Sequence, residues 1–140
     1  MQYAIYNITV VPVLIAALVS FLLGWVWYSA LFGSTWMKAL GKSKEDIMKG
    51  GRQAMFKGMG ISLLQAIVVA VAIDHFFNLG GGMTVGMAIE TALVCWFAFV
   101  VMMDLVTRTY EQSNMTLFYI HISYRLIEFV AIAMVLFYLR

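Results

Sequence analysis

The 140-residue chain is short of the residues that make soluble surfaces and covalent frameworks. Asp, Glu, Lys and Arg together supply 11% of it, against about 25% in an ordinary soluble domain. A single cysteine, Cys95, excludes an internal disulfide and any multi-cysteine metal site. The single proline, Pro12, falls where the first turn of a helix tolerates it. With a net charge of only +2 there is no electrostatic footprint for nucleic acid, and no such partner is expected. The N-terminus lacks the basic n-region and small-residue cleavage pattern of a signal peptide, so its first apolar block is expected to be retained. Gly80-Gly81-Gly82 lacks the Lys-Ser/Thr of a phosphate loop and follows no strand. His75 and His121 stand outside any His-Glu-x-x-His or nucleophile motif. No catalytic residue, metal or cofactor is assigned, and the chain reads as a non-enzyme. A polar helix end accounts for Asp74-His75 more simply than a metal site does.

What the chain has instead is apolar surface. Hydrophobic residues make up 64% of it, concentrated in four blocks at about 8–31, 56–77, 83–106 and 117–139. Each is long enough for the ~20 residues that cross a bilayer as helix. A soluble bundle would need a polar face on every helix, and the first two blocks have almost none. The expectation is an all-α polytopic membrane protein: one domain, residues 1–140, with four transmembrane helices.

The longest polar connection, 33–55, holds Lys38, Lys42, Lys44, Lys49 and Arg52, with Lys57 just beyond. Ser43-Lys44-Glu45-Asp46 has the form of a capping box. It should open a short amphipathic helix between the first two spans, with Ile47, Met48 and Met55 on its apolar side, lying on the cytoplasmic leaflet. Loop 78–82 has no Lys or Arg, and the next loop carries Arg108. The positive-inside rule therefore puts loop 33–55 in the cytoplasm and both termini outside, with Arg140 on the unfavoured side. Trp25, Trp27, Tyr28 and Trp36 gather near the end of the first block, as an interfacial aromatic belt would. Ala16, Ser20 and Gly24 recur every four residues, as do Gly82 and Gly86, and either stripe would let another helix approach closely.

The last block carries His121, Arg125 and Glu128. At about 100° per residue they fall within roughly 60° of one another, one polar stripe on an apolar helix. A charge in hydrocarbon costs about 2.5–3.5 kcal/mol on insertion scales, so the stripe should turn inward and find partners. In the third block Glu90, Val94, Phe97, Val101, Asp104 and Arg108 share a face at heptad spacing. Counted along the helices, Glu90 lies level with Glu128, and Asp104 with His121. The candidate seam is thus Glu90, Asp104, Arg108, His121, Arg125 and Glu128.

Several stretches together resemble the bacterial and archaeal membrane family called domain of unknown function 1761. They are Gly24-Trp25-Val26-Trp27-Tyr28-Ser29, Leu31-Phe32-Gly33, Trp36-Met37 and Gly41-Lys42-Ser43-Lys44-Glu45-Asp46 in the first half. In the second half they are Tyr110-Glu111, Leu117-Phe118 and Tyr124-Arg125-Leu126. Ala30 stands where members commonly have proline, and Tyr110 where phenylalanine is usual. The resemblance implies a small helical protein of the prokaryotic plasma (inner or cell) membrane. It carries no activity from which catalytic residues could be transferred.

Two functional readings follow. In the first, a homo-oligomer in the lipid bilayer moves a proton, ion or small solute along the seam. Glu90, Glu128 and His121 would then be the protonatable or binding groups, with Arg125 and Asp104 as counter-charges. In the second, the chain is a non-catalytic lipid-binding or accessory subunit of a larger membrane complex. The basic loop and the neighbouring tryptophans motivate that reading. The same charges can also serve only to fix helix register.

Overall fold

A computed structural model describes residues 8–80 and 84–140. All regular structure among the described residues is helical. Helix α1, Val10–Val26, runs into a π-helical turn at Trp27–Leu31. Two short helices follow, α2 at Gly33–Leu40 and α3 at Lys44–Met48, before the long α4 at Gly51–Leu79. Helix α5, Val85–Trp96, passes through a second π turn, Phe97–Val101, into α6, Met102–Glu111. Helix α7, Met115–Leu139, completes the chain. Four helical stretches are long and apolar enough to cross a membrane: Val10–Leu31, Gly51–Leu79, Val85–Glu111 and Met115–Leu139. The second starts at Gly51, ahead of the apolar block at 56, so Arg52 and Lys57 belong to the spanning helix itself.

Local chemistry places the ends. Thr84 caps α5, its hydroxyl accepting from the Met87 amide at 3.3 Å. Asn114 caps α7 by accepting from the Thr116 amide at 2.9 Å. Gly41 closes α2 at φ 67°, a left-handed conformation that glycine adopts without a Cβ penalty. The Ser43 capping box forms: its hydroxyl accepts from the Asp46 amide, and Asp46 Oδ2 accepts from the Ser43 amide, both at 3.1 Å. The helix it opens is only Lys44–Met48, so Met55 lies on α4 instead of sharing a surface helix with Ile47.

Helix α7 is the hub, touching α1, α2, α4, α5 and α6. Small residues make those approaches close: Ala16, Ala66, Ala70, Ala88, Ala92 and Ala133 are all buried. Around them Val13, Ile73, Phe77, Ile132 and Leu136 form an apolar core toward the end where Thr9 and Arg140 meet, the terminal end. Buried Asp74 fastens that end. It accepts from the Thr9 amide at 3.1 Å and the Thr9 hydroxyl at 2.8 Å, and Arg140 Nη1 lies 3.8 Å away. Arg140 also donates to Asn78. The cation on the unfavoured side of the charge rule thus has its partners within the chain.

At the opposite end, the basic end, α4 is loosely packed. Every residue of 51–64 is exposed, and the first less exposed position is Gln65. The bundle is closed toward Asp74 and open toward the lysines.

Candidate functional site

Because α7 is one uninterrupted helix, His121, Arg125 and Glu128 do share a face, and it points inward. Glu128 is fully buried. Its Oε1 accepts from the Ser20 hydroxyl at 2.6 Å and more distantly from Gln65 Nε2 at 3.4 Å. Arg125 Nη1 donates to Glu128 Oε2 at 2.5 Å and to Gln65 Oε1 at 2.8 Å. Its Nε donates to His121 Nε2 at 3.2 Å. His121 Nδ1 lies 3.2 Å from Asp104 Oδ2, within ion-pair reach but out of line for a hydrogen bond. Asp104 Oδ2 in turn accepts from Arg108 Nε at 3.0 Å. Polar contacts therefore run without a break from Ser20 and Glu128 to Arg108. Along α7, Glu128 is about 18 Å from Arg140 and Arg125 about 22 Å, at 1.5 Å per residue. With Arg140 at one face of a ~30 Å hydrocarbon core, the buried carboxylate would lie near its midplane.

Glu90 is not part of the seam. It is exposed, with no hydrogen-bond or ion-pair partner among the described residues. The expected heptad face from Glu90 to Asp104 assumes a constant turn of about 100° per residue. The π turn at Phe97–Val101 breaks that assumption by admitting an extra residue. Ahead of the turn the inward positions are Ala88, Ala92 and Cys95; beyond it they are Val100, Asp104 and Arg108. Without the extra residue Asp104 would follow Glu90 to the outside.

The glycine-aromatic motif also faces inward. The Trp27 indole N–H donates to Ile120 O at 3.3 Å, and Tyr28 meets both Trp36 and Tyr124 edge to face. Gly24 is packed against Tyr124, and Trp25 alone of this group is largely exposed, at 64%. Instead of a belt, Trp27, Tyr28 and Trp36 tie α1 and α2 to α7. The Ala16–Ser20–Gly24 stripe is occupied within the chain by the same contact, so it is not available to a second copy. Gly82 of the other stripe lies outside the described residues, and Gly86 is exposed.

Two clefts flank the Glu128–Arg125 part of the network. One, about 340 Å³, lies between α1 and the basic-end half of α4. The other, about 450 Å³, lies between α4, the third span and α7, and is bordered by Asp104, His121 and Phe99. Gln65 and Arg125 border both. Ser20 and Gln65, the two partners of Glu128 that charge counting passes over, are neutral. A lone amide midway along a bland span was the available signal for Gln65.

A four-helix polytopic protein with a charged interior seam and a closed terminal end is the class that this fold defines. The family model described as "Protein of unknown function (DUF1761)" matches residues 11–137, nearly the whole chain, and the chain belongs to that family. Neither the curated proteins nor the solved structures yield a match.

Proposed function

We propose that the protein moves a proton or small ion along the seam between the third and fourth spans, with the basic end in the cytoplasm of a prokaryotic cell. One observation carries the reading: the unbroken polar chain from buried Glu128 through Arg125 and His121 to Asp104 and Arg108. Intramembrane carboxylates and a histidine are the usual protonatable parts of a proton relay. Arg125, charged throughout, holds Glu128 and His121 together as a fixed counter-charge. The bond from Arg125 leaves His121 Nε2 an acceptor, which puts the ring proton on Nδ1, toward Asp104. A second proton arriving at Nε2 would set donor against donor and part His121 from Arg125. The groups facing His121 are Asp104 and Arg108 of α6, Arg125 of α7, and Tyr28 and Trp36 across the cavity of about 310 Å³ they share. The apolar core at the terminal end blocks a straight path through one copy, so passage requires an assembly of copies or a second conformation.

Proteoliposomes with an enclosed pH-sensitive dye test this. Flux should appear with the intact chain, fall sharply in His121→Leu, and persist in Glu90→Gln. Equal flux in the first two, or none in the intact chain, would refute it.

A second reading is favoured by a different feature. Residues 41–64 are exposed throughout and carry Lys42, Lys44, Lys49, Arg52 and Lys57. That surface suits a docking role on anionic lipid or a larger membrane complex. Stable co-purification of another membrane protein in mild detergent, lost on neutralising these lysines, would favour it over flux.

A further inference from the structure

The cleft between α1 and α4 has features that the seam leaves unused. Phe21, Trp25, Met55 and Met59 wall it, and Gln65 and Arg125 lie at its polar side. A guanidinium has five N–H donors. In Arg125, Nε serves His121 and Nη1 serves Gln65 and Glu128, while Nη2 makes no hydrogen bond among the described residues. The Ser62 hydroxyl, which also borders the cleft, makes none either. Donors held below the bilayer surface cost free energy unless an acceptor meets them.

Charge and depth narrow the acceptor. Glu128 opposes Arg125, and Asp104 opposes Arg108. His121 accepts at Nε2 and is therefore neutral in this arrangement. Formal charges in the cluster cancel, leaving no surplus cation to hold an anionic head. Arg125 is also about 8 Å inside the basic-end face of a ~30 Å core, counting along α7, too deep for a phospholipid phosphate. The walls offer aromatic rings and methionine thioethers, which suit a flat or unsaturated apolar body. Entry is direct, since the exposed half of α4 leaves this side open to the bilayer.

We propose that this cleft binds an uncharged, membrane-soluble molecule through a carbonyl oxygen placed on Arg125 Nη2, its apolar body lying between Trp25 and Met59. A ring carbonyl of a quinone and the ester carbonyl of a neutral acylglycerol share this chemistry. Neither Asp104 nor His121 borders this cleft, so the site shares Arg125 with the proposed pathway without resting on it.

The full chain in detergent micelles is titrated with a short-tailed benzoquinone, following tryptophan fluorescence. Saturable quenching is expected, and it should be largely lost in Trp25→Phe. Gly58 borders the cleft and has no atom within 4 Å of a Cβ built on it, so Gly58→Leu fills the cleft without disturbing the core. That variant should weaken quenching by roughly tenfold or more, through steric exclusion. Competition by monooleoylglycerol would identify the ester as a second source of the same acceptor. Its failure to compete would assign the site to the ring carbonyl. Absence of saturable quenching, indifference to Gly58→Leu, or stronger competition by oleate than by the neutral ester would overturn the proposal. Since Gly58 does not border the Asp104–His121 cleft, flux should survive Gly58→Leu, and the two readings can fail separately.

Discussion

Gly24 and Tyr124 meet where the first and last spans pack: a Cβ on Gly24 would sit 2.7 Å from the Tyr124 hydroxyl oxygen. The same hydroxyl donates to the Ser20 carbonyl at 3.3 Å. The bare backbone at position 24 thus admits the ring that joins the aromatic cluster to the buried end of the seam.

Gly24→Ala should accordingly destabilise the protein by about 1–3 kcal/mol, the usual cost of overpacking a tight contact. Tyr124→Phe removes the clashing oxygen, so the double variant should lose less than the sum of the two single losses. Thermal unfolding in detergent measures all three. Strict additivity would show that the contact does not limit packing.

Glu128 should be intolerant of removal on its own. Glu128→Ala leaves the Arg125 guanidinium without its counter-charge, a loss of about 3–5 kcal/mol for a buried pair. Ser20→Ala removes one neutral donor and should cost about 1–3 kcal/mol. Replacing both members of the ion pair with methionine should cost less than Glu128→Ala. If the double replacement is the worst of the three, attraction within the pair outweighs desolvation here.

Deleting Ala98 would remove the extra residue of the π turn and restore α-helical register. Asp104 and Arg108 should then rotate by about 100° away from α7. With Cys95→Ser in the background, cysteines at 104 and 121 should cross-link readily in the full-length chain and poorly in the deletion. Equal cross-linking would mean that the turn does not set the register.

At the basic end, Asp46 gives a pH signature outside the spans. Lys49, followed by the Ser43 hydroxyl and amide, holds its carboxyl down from 3.8 to about 2. A folded-state value below the unfolded one means the capping box is fully stabilising above about pH 4. Its contribution is lost as pH falls through about 2. Carboxyl carbon shifts should titrate near that lower value and move back up in Ser43→Ala. An ordinary midpoint in the intact chain would show that the box does not persist in solution.

The four spans were legible because the apolar blocks are long and the polar connections short. The His121–Arg125–Glu128 stripe was legible because α7 keeps one helical period from end to end. Glu90 was misplaced because a π turn has no signature in residue type, and the third span reads as a continuous heptad stripe. Ser20 was noted for its size rather than its hydroxyl. The Thr9–Asp74–Arg140 fastening joins groups far apart in sequence, where local charge rules see only a cation on the unfavoured side.

Residues 51–64 of α4, exposed throughout, face α1 across an open cleft. The helices are tied together at Asp74 and loosely packed where the exposed half of α4 begins. Lipids with bulky tails and small heads press hardest in the bilayer interior and would push α4 toward α1. The packing stress of the surrounding membrane therefore bears directly on the cleft that ends at Arg125.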